Sequence, residues 1–202
     1  MKVLIAGGGT GGHINPGLAI AKYIKQKDAD ADITFVGTKK GLETKLVPRE
    51  GFPLETITVR GFKRKLSLDT LIAIKELIQS FFQASRLIKR TKPDVVIGTG
   101  GYVCGPVLYM AAKKGIPTLI HESNAFPGVT NRLLERYVNY VAISFKDAEK
   151  YFKNKKKLGA YGESCKGGTA KIRPGKCYIR FGHCRWKTFD SCYGRQQGSK
   201  EN

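Results

Sequence analysis

The chain has 202 residues, enough for a large domain with a real core, and carries 36 Lys and Arg against 16 Asp and Glu, a formal charge of +20. That excess points to a polyanionic partner, nucleic acid or an anionic membrane surface, without choosing between them. No apolar run approaches the ~18–20 residues of a spanning helix, and the opening MKVLIAGGG turns to glycine too soon for a signal peptide, so a cytoplasmic protein is expected.

Along the chain, short apolar runs alternate with helical spacing. KVLIAG (2–7) reads as a buried parallel strand. In PGLAIAKYIKQK (16–27), Leu18, Ile20, Ala21 and Ile24 have helical spacing. DITFVGT (32–38) is a second strand, GLETKLVPREG (41–51) a short helix stopped by Pro48 and Gly51, and PLETITVRG (53–61) a third strand. Residues 67–93 form a long helix begun at Ser67 or Asp69 and halted before Pro93. DVVIGTGGY (94–102) is a strand running into a second glycine-rich turn. Then follow a helix in GPVLYMAAKKG (105–115), a strand in PTLIHES (117–123), a helix in GVTNRLLERYV (128–138) and a strand in NYVAIS (139–144). This alternation predicts an α/β fold: an open, Rossmann-like parallel sheet with helices on both faces. Ligands of such sheets bind beyond the carboxyl ends of the strands, where three polar loops fall: the turns after the first strand and after DVVIG, and HESNAFPG after PTLI.

The first of these loops matches the dinucleotide fingerprint, Gly7-x-Gly9-x-x-Gly12, between a strand and a helix. Bare backbone there lets a ligand approach main-chain N–H groups at a helix start. A dinucleotide also needs a carboxylate for its ribose at the end of strand two, where this chain has Gly37, Thr38 and Lys39. It also lacks the Gly-Lys-Ser/Thr of a P-loop. His13 follows the loop. The positive helix end disfavours a second positive charge, so the ring is suited either to accept a hydroxyl proton or simply to hydrogen-bond the loop or a ligand phosphate.

GGGTGGHINPGLAIA, GTGGYVCGP and HESNAFPGVTNRLL, in this order, resemble the N-terminal domain of the MurG family from Met1 to about Lys157. The resemblance implies the N-terminal, acceptor-side half of a GT-B glycosyltransferase. Such an enzyme transfers GlcNAc from UDP-GlcNAc, with inversion, to undecaprenyl-linked muramyl-pentapeptide in peptidoglycan synthesis, using no cofactor and no bound metal. It implies that Thr10, Gly11 and Gly12 lie against the donor and that Asn124 hydrogen-bonds it. Gly100, Gly101 and Tyr102 would lie on the acceptor-diphosphate side. His13 would be the base or orienting group. Glu122 is either its partner or a rim carboxylate paired to a cation.

The long helix is more apolar than one buried face needs: Leu68, Leu71, Ile72, Leu77, Ile78, Phe81 and Phe82. Cations flank it, with Arg60, Lys63, Arg64 and Lys65 before and Arg86, Lys89, Arg90 and Lys92 after. Apolar residues framed by cations suit an anionic lipid surface, and a polyprenyl acceptor favours that reading over a plain core helix. A peripheral protein on the cytoplasmic face of the bacterial membrane is expected, with Lys63, Arg64, Lys65, Leu71, Ile72, Phe81 and Phe82 at the surface.

Near Lys157 the composition breaks, giving an expected division into residues 1–157 and 158–202. The tail holds four of the five cysteines and the only Trp. Zinc ligation by Cys165, Cys177, His183, Cys184 and Cys192 is disfavoured, because no C-x-x-C pair occurs and His183 and Cys184 are adjacent. A nucleic-acid tail would have nine Lys and Arg against three acids but contains no binding module, so no nucleic acid is expected. Residues 1–157 alone keep 27 basic against 13 acidic residues. Back-translated degenerately and read one nucleotide later, AYGESCKG permits T-G-N-P-V-R-E, which resembles the continuation of MurG-like chains. The tail is therefore expected to be a frameshift product, disordered, and the chain inactive without a donor domain. A Rossmann-type oxidoreductase and a basic nucleic-acid-binding protein are the alternatives.

Overall fold

In the computed structural model the described residues are 1–61, 68–160, 179–181 and 184–186. The strands are β1 (Lys2–Gly7), β2 (Asp32–Gly37), β3 (Leu54–Thr56), β4 (Val95–Gly100), β5 (Thr118–Glu122), β6 (Tyr140–Ile143) and β7 (Leu158–Ala160). Between them run helices α1 (Gly11–Lys27), α2 (Glu43–Arg49), α3 (Leu68–Thr91), α4 (Cys104–Lys113) and α5 (Val129–Leu134), then short 3₁₀ turns at Lys146–Tyr151 and Lys155–Lys157. The seven strands form one sheet in the order β3-β2-β1-β4-β5-β6-β7, parallel at every pairing.

The continuous apolar runs of β1 and β4 follow from this position, since a central parallel strand is covered on both faces. Leu4, Ile5, Val96 and Ile97 are all buried. The sheet grows outward from β1 in both directions. Right-handed crossovers therefore place α1 and α2 on one face and α3, α4 and α5 on the other. On the second face Ala84, Leu87 and Ile88 of α3, Val107 and Leu108 of α4 and Leu134 and Val138 at α5 close over Val96, Ile120 and Val141.

The expected Rossmann-like alternation is present, with differences at the edges. The third strand is only three residues long, because the chain then passes along Gly37 and the side of α3: Ile57 N–H donates to the Gly37 carbonyl and Thr58 N–H to the Gln83 side chain. β7, just past the composition break at Lys157, completes the sheet beside β6. The chain divides into two compact units, residues 1–168 and 169–202. Of the second unit the described part is an antiparallel pair, β8 (Ile179–Phe181) with β9 (Cys184–Trp186). The side chains of Cys165, Cys177, His183, Cys184 and Cys192, named above as weak zinc candidates, lie outside the described residues. Among the described residues no group of His, Cys, Asp and Glu could hold a metal ion, and no helix is long and apolar enough to cross a membrane.

Candidate functional site

The strand order reverses between β1 and β4, where the helix after β1 leaves one face and the helix after β4 the other. That divergence opens a crevice at their carboxyl ends. The two glycine loops meet there. Gly8 N–H donates to the Gly100 carbonyl at 3.3 Å. Gly100 and Gly101 have φ +119° and +89°, which L side chains rarely adopt, and a Cβ on Gly100 would run into the His13 ring while one on Gly101 would meet the Gly8 carbonyl. Thr99 and Cys104 fasten the same seam. Thr99 Oγ1 donates to the His13 carbonyl at 2.7 Å, and the Cys104 thiol lies 3.1 Å from the carbonyls of Ala6 and Gly100. Burial pushes that thiol up to about 12, against the lowering effect of the Gly100 and Thr99 N–H groups, so it stays protonated and serves as a donor.

The third loop joins through a carbonyl released by proline. Pro16 has no N–H to give to the Gly12 carbonyl four residues earlier, and Ser123 Oγ donates to that oxygen at 3.3 Å instead. Thr10, Gly11 and Gly12 thus lie between the crevice and the third loop, with Thr10 and Gly12 exposed. Thr10 starts α1, its carbonyl taking the N–H groups of His13 and Ile14.

His13 is half-buried on this seam. Its Nδ1 is buried against the Gly100 backbone and has no hydrogen-bond partner among the described residues, which leaves Nε2 as the ring atom for a ligand. Among the described residues Glu122 is neither its partner nor paired to a cation. It is 1% exposed and spends its carboxylate within its own loop and on α5: on Asn124 N–H (2.9 Å) and Nδ2 (2.8 Å), Gly128 N–H (3.0 Å) and Asn131 Nδ2 (2.9 Å). Four donors compensate the buried charge, and the consequence is a fixed loop that holds Asn124 exposed at the rim. Beside it, His121 pairs through Nε2 with Ser144 Oγ at 3.2 Å. Burial pushes its imidazole down, the Glu122 charge opposing, so the ring is neutral. Tyr102 is 58% exposed, its ring lying over Gly61.

A second buried carboxylate escaped the sequence reading. Glu43, at the start of α2, is fully buried at the end of β2, where a dinucleotide enzyme keeps its ribose carboxylate. Here it faces inward. Its oxygens accept Gly9 N–H at 2.9 Å, Thr38 N–H at 2.7 Å and Thr38 Oγ1 at 2.8 Å. A Cβ on Gly8, Gly37 or Gly41 would each collide with it. A loop N–H that would meet a pyrophosphate is thus already spent, and a negative charge lies beneath the loop, which opposes the dinucleotide reading on firmer ground than a missing residue. The sequence signal was a lone acid just after the two glycines of TFVGTKKGLE.

On α3 the expected surface residues separate. Leu71, Ile74, Ile78 and Phe82, three or four residues apart, are 65%, 43%, 54% and 65% exposed, and Ile72 is also exposed. Phe81 instead turns inward and meets Tyr109 edge-on at 5.5 Å. Lys63, Arg64 and Lys65 lie outside the described residues.

The glycosyltransferase family 28 N-terminal domain matches residues 3–143. A UDP-N-acetylglucosamine–N-acetylmuramyl-(pentapeptide) pyrophosphoryl-undecaprenol N-acetylglucosamine transferase of Ruminiclostridium cellulolyticum is 96% identical over 158 residues, 78% of this chain and 43% of that protein. A transferase of the same name from Caldanaerobacter subterraneus subsp. tengcongensis is 52% identical over 201 residues, 100% of this chain and 55% of that protein. The crystal structure of Acinetobacter baumannii MurG matches with TM-score 0.66 at 33% identity, over 82% of this chain and 46% of that one. A UDP-GlcNAc 2-epimerase from Methanocaldococcus jannaschii matches at TM-score 0.57 and 15% identity, over 79% of this chain and 45% of that one, a likeness of fold alone. The chain spans about half the length of the relatives it matches.

The surroundings of Glu43 set a pH dependence. Burial raises its pKa, but the N–H groups of Thr38 and Gly9, its own N–H and the Thr38 hydroxyl outweigh this and leave it below the ordinary carboxylate value. The unfolded chain then takes up this proton first, near pH ~4.3, so the stabilisation is complete above that and is lost as pH falls through the lower folded value. Urea midpoints of the wild-type chain should fall more steeply below about pH 4 than those of Glu43→Gln, which has no such proton to gain.

Proposed function

Since the chain belongs to glycosyltransferase family 28 and carries the N-terminal domain of that family, we propose that it is the acceptor-side half of an inverting transferase that moves GlcNAc from UDP-GlcNAc to undecaprenyl-diphospho-muramyl-pentapeptide. The carrying observation is the meeting of three loops around His13 at the switch point. An acceptor hydroxyl placed at His13 Nε2 attacks the anomeric carbon from the face opposite UDP. The new C–O bond forms as the bond to the UDP oxygen breaks, and the hydroxyl proton passes to the imidazole. Thr10, Gly11 and Gly12 border the donor sugar with Asn124 beside them, and Gly100, Gly101 and Tyr102 border the acceptor diphosphate. Glu122 acts through Asn124, as a positioning residue. No cofactor or metal enters this scheme.

The stripe of Leu71, Ile74, Ile78 and Phe82 supports a peripheral contact with an anionic membrane surface, where the polyprenyl acceptor lies. α4 and α5 bear one acid between them, the buried Glu135 that caps α5, so neither helix turns a carboxylate to solvent. For the tail beyond β7 the frameshift reading draws on the 96% identical match, which covers 158 residues, whereas the 52% identical relative matches over the whole chain.

Labelled GlcNAc transfer to the lipid-linked acceptor should be absent with the chain alone and should appear when the C-terminal half of the Ruminiclostridium cellulolyticum relative is added in trans. His13→Ala should lower that turnover by roughly 10²–10⁴-fold, the usual worth of a general base; an unchanged rate would remove His13 from the chemistry. In sedimentation with phosphatidylglycerol vesicles, Leu71→Ser combined with Phe82→Ser should weaken binding by about tenfold or more, as expected for losing two inserted apolar side chains. Resequencing across the codons for Lys153 to Lys176 should reveal one inserted or deleted nucleotide whose correction restores T-G-N-P-V-R-E.

A further inference from the structure

Glu43 spends a buried negative charge on the underside of the first glycine loop, with no cation beside it among the donors it meets. Such burial is costly unless each lone pair is used, and here three donors converge on it while Gly8, Gly37 and Gly41 supply the room. The bond to Gly9 is the consequential one. Gly9 has φ +89° and immediately precedes Thr10, whose carbonyl sets the first turn of α1 and the position of His13. On the far side the His13 ring rests on Gly100, so the loop is held from below by the carboxylate and His13 is held from beside by bare backbone.

We propose that Glu43 is a positioning residue, a carboxylate latch that ties the Gly7–Gly12 loop to the end of β2 and thereby sets His13 in its place. Its bearing on transfer rests on the function proposed above; its bearing on the loop does not. The charge matters as well as the shape, because hydrogen bonds to a carboxylate are about twice as strong as those to a neutral amide, and only one atom of a glutamine side chain accepts.

Amide exchange and histidine NMR on the full chain test the latch directly. In Glu43→Gln, exchange at Gly9 and Thr38 should accelerate by about tenfold or more while Val96 and Ile97 in β4 keep their protection, and the His13 ring resonances should move. Unchanged protection at Gly9, or an unmoved His13 ring, overturns the proposal. If Val96 and Ile97 also lose protection, the substitution has unfolded the sheet, and Thr38→Val, which removes only the hydroxyl donor, decides by the same two signals. In the two-half transfer assay, Glu43→Gln should lower kcat by about tenfold and leave KM for UDP-GlcNAc within about twofold, with Glu43→Asp recovering part of the loss. A full kcat beside a loosened loop would overturn the role in transfer. Absent turnover in the wild-type pair would instead overturn the function proposed above, leaving the exchange and histidine signals to decide the latch.

Discussion

The parallel pairing of β1 with β4 is the constraint from which the crevice follows. It places side by side two strands whose following helices leave on opposite faces, so their carboxyl ends cannot be covered by either helix. The register slips between Ala6 and Gly7, where the two backbones begin to part. Only glycine suits positions 100 and 101 on the far side of the seam, because the His13 ring and the Gly8 backbone occupy the space that side chains would need. The glycine loops are thus consequences of close approach between two chains as much as of any ligand.

Bare backbone gains close approach and loses rigidity. The structure compensates with two buried carboxylates, each of which gathers donors from a loop and from a second segment beside it. Glu43 holds the first glycine loop against β2, and Glu122 folds the third loop onto α5. Among the described residues neither has a cation partner. An N–H donor fixed in the main chain is the better partner here, since it is already ordered and needs no long side chain to be immobilised. Pro16 and Ser123 add the remaining tie by exchanging one helical bond for a bond between loops.

The two faces of the sheet carry different surfaces. On one, α3 buries Ala73, Ser80, Ala84, Leu87 and Ile88 and turns Leu71, Ile74, Ile78 and Phe82 outward, so a single helix is apolar on both sides. Small residues on the buried side let it lie close to α4, and this leaves Leu71, Ile74, Ile78 and Phe82 exposed among the described residues. The edge-to-face contacts of Tyr109 with Phe81 and with Tyr137 carry the apolar surface across α4 toward α5.

Hydropathy period and glycine position determined the alternation, the parallel sheet and the three loops, because those signals are local: a doubly covered strand must be apolar throughout, and a helix needs its stripe. The place of His13 at the rim was equally legible, from a strand, a glycine loop and a helix start in succession. What the tertiary structure decided was every partner at a distance. Glu43 reads as one acid on a short, charged helix, and only folding brings it under Gly9, thirty-four residues away in sequence. Glu122 stands beside a histidine in sequence and within reach of an apparent catalytic partner, yet its four donors come from its own loop and α5. Phe81 and Phe82 are neighbours with one hydropathy, and the packing of α3 against α4 sends one inward and the other out. Local pattern fixes which elements form; which side chain meets which donor depends on how those elements close over one another, and no period in the chain encodes that.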